Sequence, residues 1–456
     1  MQFKQYPSYK NSGVEWLGDV PEHWSITPLK FAIKNWRNGK WGYDVVEASD
    51  DNLVCVRVAD FDRQKGVINT EKLTLRNYKG ERVSDCLLNE NHILIERSGG
   101  GENQLVGATV KFSLNIKAVC SNFISLLEIK TNYFDLDFIQ YYFDHLYSLN
   151  VNKLSIKQTS GIQNLDLKQY VQNHISFPEI LEQTQIVLFL DSETTRIDNL
   201  IAKQEKLIEL LEEQRKSIIS HAVTKGLNPN APMKDSGVEW LGDVPEHWEV
   251  FQLKSAIKGW RNGKWGNEPA AENNICCVRV ADFDRTKGVI NTTKLTYRNY
   301  HGENISECIL DENSILIERS GGGEKQLVGA TVVNTLKQTA VCSNFISLLN
   351  INPNRVNIFF LQKCFENLYT RKVNEKSIKQ TSGIQNLDLK QYLQNNIAYP
   401  SLDEQKSIVS YLDAECKKID LLVDKQYQLI RKLKNYRTSI ISHAVTGKID
   451  VREFGA

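Results

Sequence analysis

The chain has 456 residues, 41% of them hydrophobic and 24% charged, enough apolar surface to build cores for two or three domains. Its 56 basic and 55 acidic residues leave a formal net charge of +1, which excludes a uniformly basic coat, so any contact with a polyanion must come from local placement of charge. No apolar run reaches the roughly 18 to 20 residues that span a bilayer, and the opening MQFKQYPSYKNSG has no secretory pattern, so a cytoplasmic protein without membrane contact is expected.

Along the chain the first feature is a repeat. SGVEWLGDVPEHW runs from Ser12 to Trp24 and again from Ser236 to Trp248. WRNGKWG follows in both copies at an offset of 224 residues (Trp36 to Trp260), and beyond a two-residue deletion near Tyr43 to Asn52 the offset is 222 (Cys120 to Cys342). VRVADFDR, ILIERSGGGE, AVCSNFISLL and SIKQTSGIQNLDLKQY recur in the same order, and each copy closes on SIISHAVT. A period above 200 residues means a duplicated domain, since solenoid repeats have periods of about 20 to 50 residues.

Each copy has two unlike parts. Short strand-like runs such as LVCVRVADF and NHILIERS, separated by Gly and Asn turns, with one helical stretch around Asp135 to Leu149, predict a compact α+β domain. After Pro178 and Pro400 the pattern becomes helical for about 40 residues, with Glu182-Gln183 and Glu404-Gln405 in the first turn, where carboxylates suit the helix dipole. Ile197, Leu200, Gln204, Leu207, Leu211, Gln214 and Ile218 fall at spacings of three and four, as do Ile419, Leu422, Gln426, Leu429, Leu433, Tyr436 and Ile440. Each is either a helix packed on its own domain or one half of a helix pair. A helix of this length spans about 60 Å, more than a domain of this size covers, which favours pairing.

The expected fold is therefore α+β: two duplicated globular domains of mixed α and β content, separated by two long helices in an antiparallel coiled coil, with pseudo-two-fold symmetry. The expected boundaries are 1–178 for the first domain, 179–225 for the central helix and linker, 226–400 for the second domain and 401–456 for the last helix and tail.

GVEWLGDVPEHW, the Gln-Thr-x-Gly-Ile runs (Gln158 to Ile162, Gln380 to Ile384), the Pro followed by EQxxI (Glu182 to Ile186, Glu404 to Ile408) and TGKIDV (Thr446 to Val451) resemble the specificity subunits of type I restriction-modification systems. The resemblance covers essentially the whole chain. It implies a target-recognition domain in each half, each reading one half of a split site in double-stranded DNA, with the helices setting the gap. It also implies partners: two methylation subunits similar to adenine-N6 methyltransferases that carry S-adenosylmethionine, and restriction subunits with an ATP-driven motor. No cofactor and no catalytic residue is then expected in this chain. Here the two domains are near copies, so they should read the same half-site on opposite strands, an interrupted palindrome with about 5 to 8 unread base pairs. If the methyltransferase flips its target base, each half-site should contain an adenine. The alternative is an autonomous DNA-binding regulator without enzymatic partners, which would bind tightly alone with a steep salt slope.

Three segments per copy carry the candidate DNA contacts. Trp36, Arg37, Asn38 and Lys40, with Trp260, Arg261, Asn262 and Lys264, place cations, an amide and aromatics around a turn-forming Gly, and Arg can bridge guanine O6 and N7. The competing role is tryptophans in the core and solvated charges. Arg97, Ser98, Gly99 and Gly100, with Arg319, Ser320, Gly321 and Gly322, follow a strand and let backbone N–H groups approach phosphate. They do not form a nucleotide P-loop, because no Lys-Ser or Lys-Thr follows. Lys157, Gln158, Thr159, Ser160, Gln163 and Asn164, with Lys379, Gln380, Thr381, Ser382, Gln385 and Asn386, are dense in hydrogen-bond donors, and also suit a turn into the next helix. Arg57, Arg63, Arg279 and Arg285 are weaker candidates because Asp60, Asp62, Asp282 and Asp284 stand beside them. His221 and His443 are expected to be structural, and nine scattered cysteines, Cys276 and Cys277 adjacent, read as free thiols with no metal site.

Overall fold

The structure is a computed structural model that describes residues 3–101, 104–159, 161–272, 274–323, 326–381 and 383–455. The chain divides into two compact units, Met1–Gln204 with Gln428–Ala456, and Glu205–Tyr427. Both long helices, Ile180–Lys225 and Leu402–Val445, cross a unit boundary, so each unit contains part of both.

In the first unit an antiparallel sheet runs in the order Thr109–Lys111, His92–Glu96, Ile124–Ile129, Ile33–Asn38. His92–Glu96 is buried at every position, as a central strand with HILIE requires. A second sheet pairs Asn52–Val56 in parallel with Ala118–Cys120 and antiparallel with Thr74–Asn77. The helix Leu136–Ser148 starts at Asp135, whose carboxylate accepts from the N–H groups of Asp137 and Phe138, and buries Phe138, Ile139, Tyr142, Phe143 and Leu146. The second unit repeats this arrangement, with its main sheet continuing through Val289–Ile290 to Phe283–Asp284.

The repeated motifs find their purpose at the start of each long helix. Glu182 accepts hydrogen bonds from Trp24 Nε1 (3.0 Å) and Tyr6 OH (2.8 Å) on one oxygen and meets His23 Nε2 (2.9 Å) with the other. Gln183, fully buried, accepts from the Asp135 N–H (2.9 Å) and donates to the Pro178 and Tyr133 carbonyls. Glu404 likewise holds His247 (2.9 Å) and Trp248 (3.1 Å), while Gln405 accepts from the Asn357 N–H (2.7 Å). The Glu-Gln pair therefore ties the opening motif and the domain's own helix to the long helix, a larger role than the dipole argument gave it.

The long helices keep the expected period, but the buried positions are not all the expected ones. Leu200, Leu207 and Gln214 turn outward by comparison with their neighbours Ile201, Ile208 and Arg215, and Leu422, Leu429 and Tyr436 with Val423, Ile430 and Arg437. Exposure is 39% at Leu207, 42% at Leu422 and 40% at Leu429. Where two adjacent apolar residues compete for one step of a heptad the sequence leaves the phase open, and here the branched aliphatics and two arginines take the inward places. Those arginines are paired: in the first unit Arg437 Nε meets Asp198 (3.2 Å), and in the second Arg215 meets Asp420.

His145 in the first unit is 3% exposed and neither ring nitrogen has a hydrogen-bond partner; its ring packs 5.8 Å from those of Trp16 and Tyr142. Burial, reinforced by nearby His443 and Lys448, pushes its pKa down from 6.5 to about 4. A histidine depressed by folding contributes stability that is complete above 6.5 and is lost as pH falls toward 4, about 3 kcal/mol by that point. Neighbouring Asp144, pushed up to about 7 by burial, acts in the opposite sense. The measurement is therefore the difference in pH dependence between wild type and His145→Asn, the residue of the second copy at Asn367. Urea unfolding should show the variant losing less stability than wild type between pH 6.5 and 4.

Candidate nucleic-acid interface

The first predicted segment is mostly strand, with the turn confined to its end. Ile33–Asn38 is an edge strand, with Trp36 opposite Leu127 and Asn38 opposite Ser125, and Ile257–Asn262 repeats it. Alternation along a strand splits the predicted contacts between two faces. Arg37 pairs with Asp85 (3.2 Å) and Arg261 with Glu307 (2.8 Å), while Lys40 and Lys264 donate to the carbonyls of Arg82 and Asn304 (both 2.8 Å). Asn38 and Asn262 accept from Ser125 and Ser347. The cations are half-exposed, and Trp36 and Trp260 are 36% and 37% exposed, so they are not core residues.

The other two segments come together. Ser98–Gly99 pairs with Ile162–Leu165, which pairs with Ile156–Thr159, placing Ser98 opposite Asn164 and Gly99 opposite Gln163. The second copy gives Ser320 opposite Asn386 and Gly321 opposite Gln385. Gln163 and Gln385, each 4% exposed, accept from the N–H of Val106 or Val328 and donate to the carbonyl of Gly101 or Gly323. Both ends of the amide are committed, so these two predicted glutamines are buried against the glycine turn and shape it, and do not face outward. Gly100 and Gly322 have φ of +66° and +64°, and an added Cβ would lie 2.8 or 2.7 Å from the carbonyl oxygen of Gln104 or Gln326. Ser98 and Ser320 are also buried, donating to Asn164 and Asn386 (2.6 Å). Lys157, Gln158, Lys379 and Gln380 stand on the outer strand of this small sheet; Lys157 and Lys379 are 73% and 72% exposed and bridge Asp166 and Asp388 (2.8 Å). Ser160 and Ser382 lie outside the described residues, as do the side chains of Thr159 and Thr381.

Beside the glycine turn opens a cleft of about 700 Å³ in the first unit and 1110 Å³ in the second. Trp41, Arg57, Arg63, Glu96 and Phe123 line the first, and Trp265, Arg279, Arg285, Glu318 and Phe345 the second. Each residue lining the first cleft has the same residue type at the matched place in the second. Arg57 is oriented by Asp60 as expected (2.8 Å), and Arg279 by Asp282. Arg63 and Arg285 instead reach Glu96 (3.0 Å) and Glu318 (2.8 Å), while Asp62 and Asp284 cap the next turn. Burial pushes the Glu96 and Glu318 carboxyls up against the arginines that lower them. Arg76 and Arg298 stack on Trp41 and Trp265 at 4.7 and 4.5 Å. The sequence reading missed Phe123 and Phe345, although AVCSNFISLL is repeated without change.

The cleft offers oriented guanidinium groups, exposed aromatic faces and an open glycine turn, the means by which proteins contact phosphates and base edges. Among the described residues no cluster of three His, Cys, Asp or Glu could hold a metal, and no helix is long and apolar enough to cross a membrane.

Residues 42–212 and 245–431 match the family described as the type I restriction modification DNA specificity domain. The chain belongs to that family, and is a non-catalytic specificity subunit. It is 23% identical over 438 residues to the type I restriction enzyme MjaVIII specificity subunit of Methanocaldococcus jannaschii, covering 95% of this chain and 94% of that one. It is 20% identical over 443 residues to the EcoKI specificity subunit of Escherichia coli (strain K12), covering 95% and 90%. A chain solved in a study of complex assembly and conformational transition of the type I R-M system superposes with a TM-score of 0.66 at 15% identity, covering 93% of this chain and 98% of that one, which supports the fold.

Proposed function

We propose that this chain directs adenine-N6 methylation to a bipartite, interrupted-palindromic DNA site, each domain reading one half-site through its cleft. The sameness of the two clefts carries the reading: identical readers select identical half-sites. The domains are 1–178 and 226–400, and the helical segments 179–225 and 401–456 form the spacer. Within the first unit Asp198 pairs with Arg437 and within the second Arg215 pairs with Asp420, so each unit holds a stretch of both helices side by side, which supports helix pairing; an antiparallel coiled coil with a pseudo-dyad is part of the proposed reading. The partners are double-stranded DNA, two methylation subunits binding S-adenosylmethionine, and restriction subunits with an ATP-driven motor.

A methylation map of cells carrying this chain with its methyltransferase, against cells with the methyltransferase alone, tests it. N6-methyladenine at an interrupted palindrome, present only with this chain, is expected. An asymmetric split motif would refute the equal half-sites, and no new methylation would refute the role. Lys157 and Lys379 are the expected phosphate contacts. Replacing both with Ala should weaken binding alike across sequences and reduce the salt slope by about one per lysine, read by fluorescence anisotropy of the complex in a salt series.

A further inference from the structure

Phe123 and Phe345 are 46% and 47% exposed, an unfavourable place for a phenyl ring unless something covers it. Several exposed apolar side chains have a polar residue at the matched place in the second copy: Ser255 for Phe31, Arg355 for Tyr133, Lys376 for Leu154 and Gln338 for Ile116, whereas Trp36 and Trp260, Trp41 and Trp265, and Ile162 and Ile384 are kept exposed in both. The Phe pair is kept, at the same exposure. Its mounting is also kept. The Phe123 carbonyl accepts from the N–H groups of Arg97 (2.8 Å) and Ser98 (3.1 Å), and the Arg97 guanidinium donates to the Asn122 carbonyl (3.1 Å). Phe345 has the same bonds with Arg319 and Ser320, and Arg319 donates to Asn344 (3.0 Å). Arg97 and Arg319, among the predicted DNA contacts, thus hold in place the turn that presents the ring.

We propose that Phe123 and Phe345 each read the C5-methyl group of a thymine in their half-site. This rests on the DNA-reading role above. In the major groove thymine is the base that presents a methyl group, and an aromatic side chain is a suitable partner for it. The ring sits in a cleft whose polar groups, Arg57 and Arg279, satisfy phosphates or guanines but cannot distinguish that methyl. Rigid mounting fixes the ring at one base step, so the contact selects a position and not merely a composition.

The test uses the full chain in complex with its methylation subunits, bound to the duplex that the methylation map defines. Each thymine is replaced by deoxyuridine, symmetrically in both half-sites, and affinity is read by anisotropy. One symmetric pair should weaken binding about fourfold per methyl lost. Phe123→Ala or Phe345→Ala should each remove one of the two methyl contributions to that sensitivity, and the double variant both, while Phe→Leu at either place should retain part of it. No deoxyuridine-sensitive position in an otherwise specific complex would overturn the inference and leave the DNA-reading role standing. Sensitivity that survives both alanine variants, or a uniform loss of affinity on all sequences, would overturn it as well. Absence of specific binding by the wild-type complex would refute the role itself.

Discussion

Gly39→Ala and Gly263→Ala should each cost about 4 kcal/mol or more, seen in calorimetry as a transition displaced well below that of the wild type. A Cβ at Gly39 would lie 2.0 Å from the carbonyl oxygen of Cys120 and 2.4 Å from that of Ser121. At Gly263 the same clashes are 2.1 Å from Cys342 and 2.3 Å from Ser343. These neighbours are backbone, pinned by the bond from the Lys40 N–H to Cys120 and from the Gly39 N–H to Ile124, and no rotamer change relieves the overlap. Neither glycine has a positive φ, so the requirement is close approach of two strands and not backbone conformation. Gly101→Ala and Gly323→Ala, where nothing lies within 4 Å, should stay within about 0.5 kcal/mol of wild type. Equal effects at the two kinds of site would refute the packing argument.

Glu182→Ala should lower stability by about 4 kcal/mol, and Glu404→Ala by about half as much, measured by denaturant unfolding at neutral pH. The Glu182 side chain is 12% exposed and serves Trp24, Tyr6 and His23; Trp24 is wholly buried and Tyr6 nearly so. Removing the carboxylate strands two buried donors away from water, which costs more than the bonds themselves contribute. Glu404 is 30% exposed and holds Trp248 and His247, and Asn230 stands where an equivalent of Tyr6 would be. Glu182→Gln should recover part of the loss, because its carbonyl oxygen still accepts from the indole. A milder effect at position 182 than at 404 would contradict this ordering.

The sequence disclosed the duplication, the mixed domains and the long helices because each is written as a pattern: a repeat of whole motifs, alternation of apolar residues, a sustained heptad. The phase of the heptad was not legible at Leu200-Ile201 or Leu422-Val423, where either neighbour satisfies the pattern and packing decides. Among site residues, the glycine turn and the Gln-Thr-x-Gly-Ile run were recognisable, yet their division of labour was not. Gln163 looks like a donor for DNA until its partners at Val106 and Gly101, more than 50 residues away, are known. Trp36 to Lys40 looked like a loop because Asn, Gly and charge dominate it, whereas pairing with Ile124–Ile129 makes most of it a strand. Phe123 escaped notice because an aromatic in an apolar run reads as core, and its exposure depends on a turn held by Arg97.

The described cysteines are all free, and all but Cys416 are buried, with burial pushing thiols such as Cys55 and Cys120 up from their usual range. Such thiols resist alkylation until the core around them opens. Cys55, Cys86 and Cys120 report on one domain, and Cys276, Cys277, Cys308, Cys342 and Cys364 on the other. Peptide-resolved maleimide trapping in the native state would therefore time the breathing of each domain separately, in one unmodified chain. If each half binds a half-site as proposed, trapping of both sets should slow on a cognate duplex, without any attached probe.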